Sequence, residues 1–133
     1  MLSFIHGARQ CLAAMVNDPA KCLHHAQARL DLEEELHAET GTIDGELASA
    51  YNDLGSALTR NGRYAEAVPM LLRSKDLRKS LPDFQPYNNY SPLLELGLVH
   101  WLQGEHDDAH RYLLQALEDR EWALGANDIE SKR

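Results

Sequence analysis

The chain has 133 residues and a mass of 15.0 kDa, which is enough for one domain with a modest core and too little for two ordinary domains. Its 44% hydrophobic and 26% charged residues are typical of a soluble globular protein. With 13 Lys and Arg against 21 Asp and Glu, the net charge is −8. This balance disfavours nucleic acids and anionic membranes as partners, because both require clustered cations, and it favours a basic or neutral partner.

The two cysteines, Cys11 and Cys22, are too few for a disulfide framework. Both lie in an apolar pattern, so the sequence predicts small core residues in a reducing, cytoplasmic setting. No apolar run approaches the roughly 20 residues needed to cross a bilayer. The first ten residues also lack the apolar core and the cleavage site of a signal peptide.

Residues 1–40 predict a divergent pair of helices. The first, over about residues 2–16, is largely apolar. Asp18-Pro19 has the chemistry of an N-cap followed by the first helical residue, so a second helix is expected from residue 20 to about 39. The inward-facing candidates on that helix are Cys22, Leu23, Ala26, Leu30 and Leu36.

Residues 44–82 predict a first helix pair. One face of its first helix carries apolar or small residues at helical spacing, namely Leu47, Tyr51, Leu54, Gly55 and Leu58. Gly62 is placed to end that helix, because glycine adopts the left-handed conformation without steric cost. The second helix has its own stripe of Tyr64, Ala67, Val68, Leu71 and Leu72. Pro69 lies inside this helix and predicts a mild kink.

Residues 88–125 predict a second helix pair after a linker over residues 82–90 that is rich in proline and asparagine. Ser91-Pro92 is expected to be the N-cap and first residue of a helix that ends near Gly104. The last helix is expected over about residues 107–124. Residues 126–133 would then be a tail or the start of a further repeat.

The two pairs are copies of one another. Seven identities share an offset of 42 residues: Leu54/Leu96, Gly55/Gly97, Gly62/Gly104, Ala67/Ala109, Leu71/Leu113, Leu72/Leu114 and Arg78/Arg120. The repeated glycine and alanine lie on the apolar stripes, where small side chains let two helix axes approach closely. A bulky residue at Gly55 or Gly97 is therefore expected to force the helices apart.

The stretches ASAYNDLGSALTRNGRYAEAVPMLLRSKDLRKSL and LLELGLVHWLQGEHDDAHRYLLQALEDREWALGAND resemble the tetratricopeptide repeat family, in particular the 42-residue repeats of kinesin light chains. The resemblance covers residues 44–128 well and residues 2–40 loosely. It implies an all-α fold, a right-handed α-solenoid of about three antiparallel helix pairs in one domain. It also implies a scaffold or adaptor role in which helices line a concave groove that binds a peptide or another protein.

The groove predicted from this resemblance combines polar and apolar residues. On the first repeat these are Ser49, Asn52, Asp53, Ser56, Thr59 and Arg60; on the second they are Leu94, Leu98 and Trp101. An asparagine side chain can donate and accept hydrogen bonds at once, so Asn52 suits an extended peptide backbone. The alternative is an ordinary solvated helix face.

Leu94, Leu98 and Trp101 form a second apolar stripe on their helix, and a helix that is apolar all round must be covered. A following repeat, a second copy of the chain or a bound apolar side chain would each serve. A homodimer is therefore an alternative to partner binding.

The histidines allow one further hypothesis. His106 and His110 are four residues apart on one helix, a spacing that can place two ligands on zinc. A third ligand is not defined, and a solvated turn explains the same residues. The sequence also lacks a nucleophile motif and a phosphate-binding loop, so we expect no catalysis and no cofactor, with a metal-dependent enzyme as the remote alternative.

Overall fold

The computed structural model describes residues 18–41 and 45–131. Within these ranges the chain forms five α-helices: α1 (Pro19–Thr40), α2 (Gly45–Arg60), α3 (Tyr64–Lys79), α4 (Tyr90–Leu102) and α5 (His106–Ser131), with a short 3-10 helix at Pro86–Asn89. The helix expected over residues 2–16 lies outside the described residues.

Helix α1 confirms the second helix of the N-terminal pair, and both of its ends follow from local chemistry. The Asp18 carboxylate accepts a hydrogen bond from the Lys21 backbone N–H at 3.2 Å, and Pro19 opens the helix. At the other end Gly41 has a φ of +71° and donates its N–H to the His37 carbonyl. These contacts satisfy donors and acceptors that a helix end otherwise leaves without partners.

Cys22 is fully buried on α1, as its place in the apolar pattern predicts. Its sulfur takes part in a disulfide, which the sequence analysis did not predict. Spacing alone could not decide this, because a buried thiol and a buried disulfide sulfur occupy the same kind of position. The inference from the cysteines to a reducing, cytoplasmic setting loses its support.

Helices α2 and α3 form the first predicted hairpin, and α3 continues through Pro69. They pack so closely that a Cβ added at Gly55 would lie 2.6 Å from the Leu71 side chain. Helices α4 and α5 repeat the arrangement, with 2.6 Å between a Cβ at Gly97 and Leu113. The prediction that these glycines permit close helix approach is confirmed in both hairpins.

The start of α4 differs from the prediction. The helix begins at Tyr90 with Asn89 as its N-cap residue, so Ser91 and Pro92 are its second and third residues. A proline is tolerated there because the first four N–H groups of a helix have no intrahelical partner. Asn89 is buried and donates to the Lys75 carbonyl of α3 at 3.3 Å, which ties the start of α4 to the preceding hairpin.

Helix α5 also differs, since it continues to Ser131 where the sequence suggested an end near residue 124. Each helix packs against its neighbour in the chain, from α1 on α2 to α4 on α5. One apolar cluster includes buried residues from α1 to α4 and the adjoining Tyr112 of α5. The all-α repeat fold expected from the sequence is therefore confirmed.

The close approach of the helices at Gly55 predicts that alanine there destabilises the chain, and that alanine at Gly97 does so to a smaller extent. Gly55→Ala should lower the free energy of unfolding by about 1–2 kcal/mol, because overpacking costs about 1–3 kcal/mol and alanine's better helix propensity offsets about 0.5–1 kcal/mol. Gly97→Ala should cost less, because Leu113 is only half-buried and can turn towards solvent. Urea unfolding followed by circular dichroism measures both.

Gly125→Ala is the matched control, since nothing lies within 4 Å of a Cβ added there. That variant should be as stable as the parent chain or more stable by up to about 1 kcal/mol. A Gly55→Ala protein that unfolds at the same urea concentration as the parent would contradict the packing described for α2 and α3.

Candidate partner-binding surface

Two side-chain hydrogen bonds connect α2 to α4, the first helices of the two repeats. The Asn52 amide donates to the Ser91 hydroxyl at 3.1 Å, and the Ser56 hydroxyl donates to the Glu95 carboxylate at 3.3 Å. We call this row of four residues the α2–α4 seam. It sets α2 and α4 side by side, so the polar face predicted on α2 continues onto α4.

The seam contains two acceptor atoms that no group in the described part of the chain satisfies. Asn52 Oδ1 and Glu95 Oε2 are buried and have no hydrogen-bond partner among residues 18–41 and 45–131. Leaving buried acceptors without donors costs free energy, typically about 1–3 kcal/mol each. A ligand that brings N–H groups to this seam would relieve that cost once the side chains turn towards it.

Asp53 has a structural role that the sequence did not predict. Its carboxylate forms an ion pair with Arg29 of α1, whose side chain is only 4% exposed compared with 39% for Asp53. Burial raises the pKa of the Asp53 carboxyl, against the opposing attraction of Arg29 and Arg78. Burial also lowers the pKa of Arg78, against the attraction of Asp53. Asp53 therefore joins α1 to α2.

The remaining polar candidates on α2 divide into accessible and inaccessible residues. Ser49 is half-buried and Arg60 is exposed. Thr59 is only 4% exposed, and its hydroxyl donates to the Gly55 carbonyl within the same helix at 2.8 Å. The expectation that the Thr59 side chain faces a ligand is therefore wrong, because a helical threonine can satisfy its hydroxyl on its own backbone.

The apolar candidates on α4 reach the surface. Leu94 is half-buried, Leu98 is 39% exposed and Trp101 is 55% exposed. The Trp101 ring stacks on His106 of α5, with the ring centroids 4.1 Å apart and the planes inclined by 28°. This contact restrains the tryptophan while leaving more than half of it open, which suits an anchor for a partner.

His106 and His110 do not form a ligand set in the described residues. The group whose ligand atoms lie within 4.8 Å of one another is His100, Glu105 and Asp108. His100 Nδ1 is 3.3 Å from Glu105, and Asp108 accepts from Arg111, so protein groups already contact these atoms. The arrangement is explained by the turn between α4 and α5.

Sequence reasoning missed Arg29, Ser91 and Glu95. The sequence could have indicated Arg29, since this residue lies on the inward stripe of α1 between Ala26 and Glu33, where an unpaired charge would be costly. A charged residue in an apolar stripe calls for a partner of opposite charge on the next helix. No comparable indication exists in the sequence for Ser91 and Glu95, because their hydrogen-bond partners are 39 residues away in the chain.

A family model described as Tetratricopeptide repeat matches residues 46–121, which is more than half of the chain. The match covers α2, α3 and α4 and most of α5. No match was found among curated proteins or among solved structures. Among the described helices, none is both long enough and apolar enough to cross a membrane.

The Arg29–Asp53 pair predicts a pH-dependent loss of stability on substitution. Arg29→Met should lower the free energy of unfolding by about 1–2 kcal/mol at pH 7, less than for a fully buried pair because Asp53 is partly exposed. Without Arg29 the Asp53 pKa should rise further. A raised folded-state pKa makes the folded protein bind more protons than the unfolded chain, so the loss should shrink as the pH falls towards 4.5.

Urea titrations at pH 7 and pH 4.5 measure this difference. Arg63→Met is the control: Arg63 pairs with Glu66 on the surface, and its removal should leave the unfolding free energy nearly unchanged at both pH values. An Arg29→Met loss that is equal at the two pH values would contradict the role given to Asp53.

Proposed function

Because the chain belongs to the tetratricopeptide repeat family, we propose that it is a protein-binding module in which α2 and α4 receive a segment of a partner protein. The family generally mediates protein–protein interaction. The observation that supports this surface in particular is a restrained, half-exposed tryptophan, Trp101, at the end of an apolar row that runs beside the polar seam.

The arrangement suits an extended peptide. Once their side chains turn outwards, Asn52 and Glu95 would offer acceptors for main-chain N–H groups, and Leu98 and Trp101 offer an apolar surface for one or two side chains. Main-chain hydrogen bonds with side-chain pockets are a recurring way to bind peptides. Ser49 and Arg60 would contact the segment at either side of the seam.

The charge of the chain favours a basic partner. The net charge of −8 attracts cationic segments over a distance and speeds their encounter with the surface. No reaction is part of this proposal, because binding alone explains the arrangement. A module of this kind acts as an adaptor or scaffold when its parent protein contributes further binding sites.

Trp101→Ala should weaken peptide binding at least tenfold, since a central aromatic anchor contributes more than its neighbours. Peptides selected from a displayed random library against the purified chain provide the ligands, and isothermal titration calorimetry gives their dissociation constants. The helical circular-dichroism signal should persist in the variant.

Trp122→Ala is the matched control. Trp122 lies on α5, is 67% exposed and is not part of the seam, so its removal should leave binding unchanged. The surface assignment is wrong if Trp101→Ala binds the selected peptides as tightly as the parent chain does.

A second candidate function is self-association through the faces of α4 and α5. Large apolar side chains there are exposed: Leu98, Trp101, Leu102, Leu114, Leu117, Trp122 and Leu124. So many exposed apolar residues favour association with another surface that covers them, and a second copy of the chain would supply that surface. The homodimer would then be a structural unit.

Light scattering across a concentration series separates the two functions. Self-association predicts a mass that rises with concentration above the 15.0 kDa of one chain, and Leu117→Ser with Trp122→Ser should return it to the monomer value. A mass that stays at that of one chain at every concentration would contradict the dimer. Partner binding would then be the remaining proposal.

A further inference from the structure

A second concave feature lies between α5 and the start of the short 3-10 helix. It is a cavity of about 310 Å³, at the lower end of the range of about 300–1,000 Å³ that ligand pockets occupy. Its wall residues are Gln85, Pro86, Glu118, Asp119 and Trp122. None of them belongs to the α2–α4 seam or to the apolar row beside it, so a ligand of that surface does not need this cavity.

The charged groups in the wall of this cavity are both acidic. Glu118 and Asp119 supply carboxylates, and the described wall residues include no lysine or arginine. One Asp119 oxygen accepts from the Gln115 amide at 2.9 Å, but a neutral donor does not compensate the charge. The neighbouring Arg120 donates to the Tyr90 hydroxyl at 3.1 Å and lies over the Tyr90 ring, so its guanidinium is already held. The cavity therefore favours a cation from outside.

The internal repeat shows that the core does not require these residues. The residues 42 positions before Asp119 and Trp122 are Leu77 and Ser80. Leu77 is only 5% exposed and belongs to the apolar core cluster, whereas Asp119 is half-buried and Trp122 is 67% exposed. A carboxylate in place of a buried leucine gives up apolar burial, and an exposed indole adds little. Binding therefore explains both changes better than packing does.

We propose that this cavity binds an arginine side chain presented by a partner protein. The guanidinium group stacks on the open face of the Trp122 indole, a favourable position for a cation. Its planar fork of N–H groups donates to the Glu118 and Asp119 carboxylates, whose geometry it matches better than an ammonium group does. The methylene groups of the arginine pack on Pro86. The net charge of −8 attracts such a partner from a distance.

The test follows the indole N–H signal of Trp122 by NMR while capped amino-acid amides are added to the full chain. N-acetyl-argininamide should shift that signal saturably. Its dissociation constant should be lower by about fivefold or more than that of N-acetyl-citrullinamide, which has the same shape without the charge. Equal affinities of these two probes would overturn the cation site. An affinity for N-acetyl-lysinamide equal to that for the arginine probe would overturn the arginine assignment.

Two variants that each remove one negative charge separate the cavity from the overall charge. Asp119→Asn keeps an acceptor for Gln115, and it should weaken binding of N-acetyl-argininamide by about threefold. Glu121→Gln is the matched control, since Glu121 is exposed on the same helix and is not a wall residue. That variant should leave the affinity unchanged. Equal losses in the two variants would mean that net charge alone attracts the probe, and they would overturn the site.

Three further measurements assign the occupant. Trp101→Ala should leave the probe-induced Trp122 shift unchanged, so this cavity and the α2–α4 surface can fail separately. Without a probe, the Trp122 signal should not depend on protein concentration. If it does, and Asp119→Asn removes that dependence, a second copy supplies the cation and the partner assignment is overturned. Free arginine that binds more tightly than N-acetyl-argininamide would also overturn that assignment, because the occupant would then be the amino acid itself.

Discussion

The contact of a glycine on one helix with a leucine on the next determines the architecture of this chain. At Gly55 and again at Gly97, a side chain of even one carbon would collide with the leucine of the partner helix. In each hairpin the two helices therefore pack at close approach around a glycine. Because the same contact recurs 42 residues later, the two hairpins have the same internal geometry and can stack in register.

Stacking is made specific by polar contacts between the hairpins. Apolar packing alone is non-directional, whereas the hydrogen bonds of the α2–α4 seam fix which residues of neighbouring helices lie opposite. The buried Asn89, which donates to the Lys75 carbonyl of α3, adds a second such contact. The Arg29–Asp53 ion pair extends the principle to α1. Together these contacts hold α2 and α4 side by side as one surface.

The two repeats have diverged where the core does not constrain them. The polar Ser56 and the buried Thr59 of the first repeat correspond to Leu98 and Trp101 of the second, which are exposed. In the opposite direction, the stacked His100 and Tyr112 of the second repeat correspond to the aliphatic Leu58 and Met70 of the first. The conserved packing positions keep the fold, and the varied positions give each repeat a different surface.

Much of the fold was predictable because its signals are local. Helical periodicity, the glycines that end helices and the 42-residue identities predicted α2 to α5, and Asp18-Pro19 predicted the start of α1. The start of α4 was misplaced because a proline is compatible with any of the first few helical positions. The narrower likeness to kinesin light chains stays a prediction.

The surface was harder to predict because it depends on contacts between helices. The same periodicity that assigned Leu47 to the core also placed Thr59 on an outer face, yet the neighbouring helices bury it. The bond between Arg29 and Asp53 joins residues 24 apart, and only the packing of α1 on α2 reveals it. Trp101 was recognised as exposed, but its stacking on His106 follows from the turn between α4 and α5.

Nuclear Overhauser effects in the isotopically labelled chain test the account most directly. We expect strong effects between the Gly55 Hα protons and the Leu71 methyl groups, and between the Gly97 Hα protons and the Leu113 methyl groups. Observing both would establish two equivalent hairpins. Their absence in a folded, helical sample would contradict the shared packing from which the repeat architecture is argued.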